Sequence, residues 1–232
     1  MTARMARVRS VVALFAAPVL ALSLDAAAAP FAVQLGGERL VLDAPPGFSD
    51  TGFLGSPKLQ ELAESSTSAS NRVLLYAIPD ADVRRFMAGD AMELRRHVLA
   101  VTPRALERER LNEAQFGAFV AEALRSLGPP AGLGDLRARL DAQPERRPLL
   151  LAELKREPNL VTALQGTRVV VQGRGFLAPD KTFYVLETLT FMLLRGKPLQ
   201  LTVFTRFEGP EDIEWITGAT ARWAEDLLRL NR

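Results

Sequence analysis

The chain carries a single histidine, His97, and no cysteine, which narrows its chemistry at once. A Ser-His-Asp or Cys-His device needs that histidine as its base, and no G-x-S-x-G elbow accompanies it. His97 falls within a predicted strand beside Arg95 and Arg96, whose charge would lower its basicity. A structural or solvent-facing place is therefore expected. Zinc sites draw on several His or Cys ligands. Asp80-Ala81-Asp82 begins like a calcium loop but lacks the alternating continuation and terminal Glu. Gly173-Arg174-Gly175 has glycine spacing without a further G-x-x-G and reads as a bulge or strand end. Two carboxylate pairs remain for acid–base work, Glu107 with Glu109 and Glu211 with Asp212. A glycosidase needs two such groups at a set separation across a cleft, which spacing alone does not show. The arginine pairs Arg84-Arg85, Arg95-Arg96 and Arg146-Arg147 could meet an anion, but Asp82, Asp90, Glu93 and Glu145 lie near enough to balance them on a solvated face. No residue is assigned to catalysis, a cofactor or a metal, and a non-enzymatic role is expected.

The amino terminus is more specific. Arg4, Arg7 and Arg9 form a basic end without acids, and Val11 to Leu24 is an apolar run broken by Pro18. Small residues follow. These are the three parts of a cleavable signal peptide over residues 1–28. The 14-residue core is too short for a stable membrane-crossing helix. Ala26 and Ala28 form an A-x-A site with cleavage before Ala29; a cut one residue later would put Pro30 directly after the bond. The mature protein is expected in the periplasm or outside the cell, with no integral membrane span.

Removal of the leader takes away three arginines and one acid, Asp25. The remainder then has equal numbers of basic and acidic residues. Nothing in that balance suggests nucleic-acid binding, which needs a concentrated basic stripe. Only four cations are lysine, Lys58, Lys155, Lys181 and Lys197. The abundance of Arg alongside Ala and Leu reads as compositional bias. Residues 29–232 suffice for one sizeable core, so one domain is expected.

The elements that must position these side chains follow from periodicity and turn chemistry. Phe31 to Leu35 and Arg39 to Leu42 alternate across Gly36-Gly37, a β-hairpin pattern closed by Pro45 and Pro46. Ser56-Pro57 opens a short helix. Asn71 to Ile78 and Met92 to Val101 read as strands, with Asp80 to Asp90 between them as a loop of at most one helical turn. Asn112 and Gln115 make a capping box for a helix whose apolar face includes Phe116, Phe119, Val120 and Leu124. Residues 129–158, punctuated by prolines, read as a small insert of two short helices, the second over Leu149 to Leu154. Asn159 to Gln165 is ambiguous between helix end and strand. Arg168 to Leu177, Thr182 to Leu194 and Leu199 to Phe207 form an antiparallel meander, turning at Pro179-Asp180-Lys181 and Arg195-Gly196-Lys197-Pro198. A last helix runs from about Pro210 to Leu230, with acids in its first turn. The middle meander strand is largely apolar on both faces, so helices should cover both sides of the sheet. The expected fold is α+β: an antiparallel sheet of about six or seven strands, helices on both faces, and the insert.

APPGF (Ala44 to Phe48), LNEAQFGAF (Leu111 to Phe119) and PEDIEW (Pro210 to Trp215), in this order of elements, resemble the PsbP/DcrB-like superfamily over most of Phe31 to Leu230. The resemblance implies an antiparallel sheet between helices, accessory or binding roles, and no shared catalytic set; the insert departs from the superfamily's compact pattern. Two functional expectations follow. One is an interaction module acting on an envelope protein. The other is a carrier of a small apolar or amphipathic ligand in a pocket between the sheet and the insert.

Overall fold

The computed structural model describes residues 29–172 and 180–232. Ala26 and Ala28, the Gly173-Arg174-Gly175 run, the expected strand end at Leu177 and Pro179 lie outside the described residues. Ala29 is exposed.

Fourteen elements follow in order: β1 (Phe31–Leu35), β2 (Glu38–Leu42), β3 (Phe48–Asp50), α1 (Pro57–Ser65), β4 (Asn71–Pro79), α2 (Asp80–Ala88), β5 (Arg96–Pro103), α3 (Glu113–Arg125), α4 (Leu136–Asp141), β6 (Leu149–Glu157), β7 (Leu160–Val171), β8 (Lys181–Leu194), β9 (Lys197–Arg206) and α5 (Pro210–Leu230). Seven strands form one antiparallel sheet in the order β3-β4-β5-β9-β8-β7-β6, and β1 and β2 form a separate two-stranded sheet. The fold is α+β, with helices on both faces as the two-sided apolar pattern of β8 requires.

Alternation along the strands builds the two faces. On one, Leu186 and Met192 of β8 and Leu199, Leu201 and Val203 of β9 bury against Ile216, Trp223 and Leu227 of α5. The β1–β2 hairpin joins this layer through Leu35, Leu40 and Leu42. Trp223 Nε1 donates to the Asp43 carbonyl at 2.8 Å. The Asn231 side chain accepts from the Val41 amide and donates to the Val41 carbonyl, both at 2.8 Å. The other face carries two clusters. Phe116, Val120 and Leu124 of α3 pack on Leu150, Val161, Ala163 and Phe191. Leu59 and Ala63 of α1 pack on Tyr76, Ile78, Leu99 and Val101, with Val83 and Phe86 of α2 against them.

The capping box of α3 forms as expected: Asn112 Oδ1 accepts from the Gln115 amide and Gln115 Oε1 from the Asn112 amide, both at 2.9 Å. Ser56 stands before α1, but its hydroxyl makes no cap bond.

Four expectations are corrected. Asp80 to Asp90 is not a loop: α2 spans Asp80–Ala88, with acids in its first turn and Gly89 at φ 83° ending it. Its Asp82 carboxylate accepts from the amides of Glu93 and Leu94 at 2.9 and 3.1 Å, which holds that backbone away from the ladder and starts β5 at Arg96 rather than Met92. Residues 129–158 contain one helix, α4, instead of two. Leu149 to Leu154 belongs to strand β6, an apolar run too short for periodicity to separate helix from strand, and pairing with β7 decides it. The ambiguous segment after Asn159 is strand, so β7 begins at Leu160 rather than Arg168.

Candidate interaction groove

Strand β3 is three residues long and pairs only with Ala77–Pro79 of β4. Strand β4 runs on beyond it. From Asn71 to Leu75 it has β5 on one side and, among the described residues, no strand on the other. A sheet edge of this kind presents unpaired N–H and C=O groups. Beside it lies a groove of about 600 Å³. Its far wall is α1, through Pro57, Gln60, Ala63 and Glu64, and one end is closed by Asp50, Thr51 and Gly52. Thr51 fixes that end: its amide and hydroxyl both donate to the Tyr76 carbonyl, at 2.8 and 3.0 Å. At the other end stand Arg72 and Arg104.

Phe53 sits in the 3-10 turn Gly52–Leu54, between lining residues Gly52 and Gly55, and is 69% exposed. Its neighbour Leu54 packs into the α1 cluster, so the turn is anchored while the phenyl ring faces solvent. Single exposed apolar residues are ordinary; one beside a groove and an open strand edge is the composition of a contact site. Burial raises the pKa of the Asp50 carboxyl, partly countered by backbone hydrogen bonds from Gly52, Tyr76 and Thr51. Burial also raises that of the Tyr76 phenol.

The residues singled out from the sequence fall elsewhere or serve the fold. His97 faces the α1 side of the sheet, its ring stacked on Phe204 at 4.1 Å between centroids and 5.6 Å from Tyr76. Burial lowers its pKa to about 4. The cause is desolvation and not Arg95 and Arg96, which point to α5 and its approach: Arg95 pairs with Glu208 at 2.7 Å. Arg96 pairs with Asp212 at 3.4 Å and lies over the Trp215 ring at 3.9 Å. Glu107 pairs with Arg72, and the main-chain carbonyl of Glu109 accepts from Lys197 Nζ at 2.6 Å. The second carboxylate pair divides by role. Glu211 is exposed; Asp212 is buried and accepts from the amides of Glu208 and Gly209 at the start of α5. Arg85 is held by Asp82 and Glu93, and Arg146 by Glu145.

One polar feature escaped sequence reasoning. Glu187 on β8 accepts from Gln165 Nε2 at 2.6 Å, and burial raises its pKa. Register places it across from Gln165 on one side and Phe204 on the other, with His97 beyond. The available signal was a lone acid in the middle of a largely apolar strand. Gln165 Oε1 and His97 Nδ1 are buried without a hydrogen-bond partner, so this row burdens the fold.

The segment 129–158 does not roof a hollow at α4. Leu136 and Leu140 are buried there, and a Cβ on Gly166 of β7 would meet Leu140 and Leu151 at 3.1–3.2 Å. A cavity of about 320 Å³ lies farther along, between α5 and strands β6 and β7, lined by Leu154, Leu160, Thr217 and Ala224 among others. Among the described residues no group of His, Cys, Asp and Glu is placed to hold a metal ion. None of the described helices is long and apolar enough to cross a membrane.

No family model matches the chain, and no curated protein matches it significantly. Among solved structures, the Ran-binding protein Mog1p of Saccharomyces cerevisiae is similar with a TM-score of 0.34 and 15% sequence identity, over 88% of this chain and 92% of that one. A likeness this slight transfers no property.

Proposed function

We propose that the protein is an exported, non-enzymatic interaction module of the cell envelope that binds an extended segment of another protein along the outer edge of β4. The observation that carries this reading is the stretch Arg72–Leu75, which has no strand on its outer side and borders the 600 Å³ groove, with the exposed Phe53 at the groove's end. Strand addition supplies main-chain hydrogen bonds for affinity and side-chain pockets for selectivity. An accessory role is also what the PsbP/DcrB-like resemblance implies.

Site-specific photocrosslinking in cells tests it. A benzoylphenylalanine in place of Phe53 should yield a discrete adduct with another protein. The same probe in place of Leu154, exposed on the opposite edge strand β6, should not. Adducts at Leu154 alone, or equal at both, would remove the groove from consideration.

The second reading, carriage of a small apolar ligand, rests on the 320 Å³ cavity beside α5, which meets the 129–158 segment at Leu154 and Lys155. Solvent extraction of protein purified from its native host would then release a stoichiometric small molecule detectable by mass spectrometry.

A further inference from the structure

We infer that the segment bound in the groove is acidic, its carboxylates seated at the Arg72–Arg104 end; this rests on the strand-addition reading above. Arg104 is exposed, and its side chain makes one bond, Nε to the Ala69 carbonyl at 3.3 Å. Most of its fork is therefore left to meet a carboxylate. The groove opens there onto a wider basic end of the sheet. Arg72 reaches the Gln34 carbonyl at 3.4 Å. Next to it, the backbone of Arg108 and the Lys197 ammonium approach Gly36 at the hairpin turn, and Arg110 lies against Gly196. Arg195 completes the end, donating to the Arg39 carbonyl at 3.1 Å.

The carboxylates of this end do not match these cations. Glu107 is taken by Arg72 and Glu38 by Arg110, which leaves the exposed Glu109 against Arg104, Arg108, Arg195 and Lys197. Lys197 is 2% exposed, and its ammonium donates to main-chain carbonyls of Glu107 and Glu109 rather than to a carboxylate. Its charge adds to the positive potential of this end, and no carboxylate pairs with it directly. In the groove itself Glu64 is hydrogen-bonded to Gln60, and Asp50 stands at the far end with Phe53. A bound strand thus meets an aromatic ring at one end and an excess of arginine at the other. An anionic bilayer is disfavoured as the occupant, because the exposed large apolar side chain near this site, Phe53, sits at the opposite end of the groove from the arginines.

The test uses two fluorescein-labelled peptides of identical Val-Thr-Phe-Val-Thr body, one with an Asp-Asp tail and one with a Lys-Lys tail, titrated by anisotropy at 50 and 300 mM salt. The acidic peptide should bind at least tenfold tighter than the basic one. That advantage should shrink at high salt and disappear in Arg104→Glu, whose melting temperature should match the parent's. Those amides between Arg72 and Leu75 that face away from β5 should gain hydrogen-exchange protection on binding. Should Arg104→Glu fail to fold, Arg104→Gln serves, with a smaller loss. Equal affinity of the two peptides with β4 protected would overturn the acidic preference and leave strand addition standing. No β4 protection by either peptide, or a concentration-dependent dimer protecting β4 in their absence, would overturn both. Binding to phosphatidylglycerol vesicles that Arg104→Glu abolishes and the acidic peptide does not compete would assign the basic end to a membrane and overturn the inference.

Discussion

The two edges of the seven-stranded sheet solve the same problem in opposite ways. At the β6 edge the chain returns to cover its own strand: the amides of Ala131 and Gly132 donate to the carbonyls of Leu150 and Leu151, both at 2.9 Å. The rest of β6 carries Glu153, Lys155, Arg156 and Glu157, paired among themselves, and its register with β7 shifts twice. Charges, bulges and a covering loop are the recognised defences of an edge strand. At the other edge β3 covers only the last three residues of β4. The uncovered stretch has one register shift, between Val73 and Leu75, and one charged side chain, Arg72. The chain shields one edge thoroughly and leaves the other beside a groove and an exposed aromatic, and the proposed strand addition would make the second edge the receptive one.

The largest expected effect probes how firmly each half is anchored. Phe116 of α3 is fully buried in the half of the sheet that ends at β6, and Phe116→Ala should cost ~3–5 kcal/mol in urea unfolding. Leu59 of α1, over the β4 half, is similarly buried, but Leu59→Ala should cost only about 2–3 kcal/mol, the low end for an aliphatic truncation, because the open groove beside α1 lets the site relax. Equal costs would show that the receptive half is as rigid as the protected one.

Acid should act on the β4 half through His97. Burial holds its pKa at about 4 in the folded protein against 6.5 without burial. The unfolded chain therefore binds a proton that the folded chain refuses, and stability falls as pH drops from 6.5 towards 4. The loss should be roughly 2 kcal/mol between pH 8 and pH 5. His97→Phe, which keeps an aromatic ring against Phe204 and Tyr76, should abolish it. Glu187 and Asp50 work in the opposite sense. Their raised pKa values mean that the folded state takes up protons first, so their burial penalty is relieved as pH falls through those values. Thermal melts from pH 8 to 5 that show no difference in slope between parent and His97→Phe would place the proton uptake elsewhere.

The smallest effect separates folding from contact. Phe53→Ser should change stability by less than about 0.5 kcal/mol, as for surface positions without buried partners. A drop of several degrees in melting temperature would mean that the ring belongs to the core and that the receptive edge is less bare than described.

Most of the layer order was legible in the residues. Capping at Asn112, the apolar face of α3 and the two-sided pattern of β8 each depend on neighbours close in sequence, and each formed as read. The errors cluster where distant partners decide. Leu149 to Leu154 has no period of its own and becomes strand because β7 is beside it. Helix α2 forms between Pro79 and Gly89 because an αL glycine ends it and Asp82 reaches across to the amides of Glu93 and Leu94. The groove was illegible for the same reason. An open edge is a statement about which strand is missing a neighbour, and β3 stops after three residues without any proline or charge cluster within it. The site's one readable hint was Phe53, an aromatic between two glycines.

Asn231 bonds to Val41 across 190 positions of sequence. Its amide takes the place of a third strand for the first hairpin and also donates to the Leu227 carbonyl at 2.8 Å as α5 ends. Strand β2 is therefore secured by a residue that follows α5. Closing so long a loop is slow and entropically costly, so the hairpin's final docking belongs late in folding, after α5 has settled on β8 and β9. A polypeptide emerging from its amino terminus must extend a further 190 residues past Val41 before that hairpin can be latched.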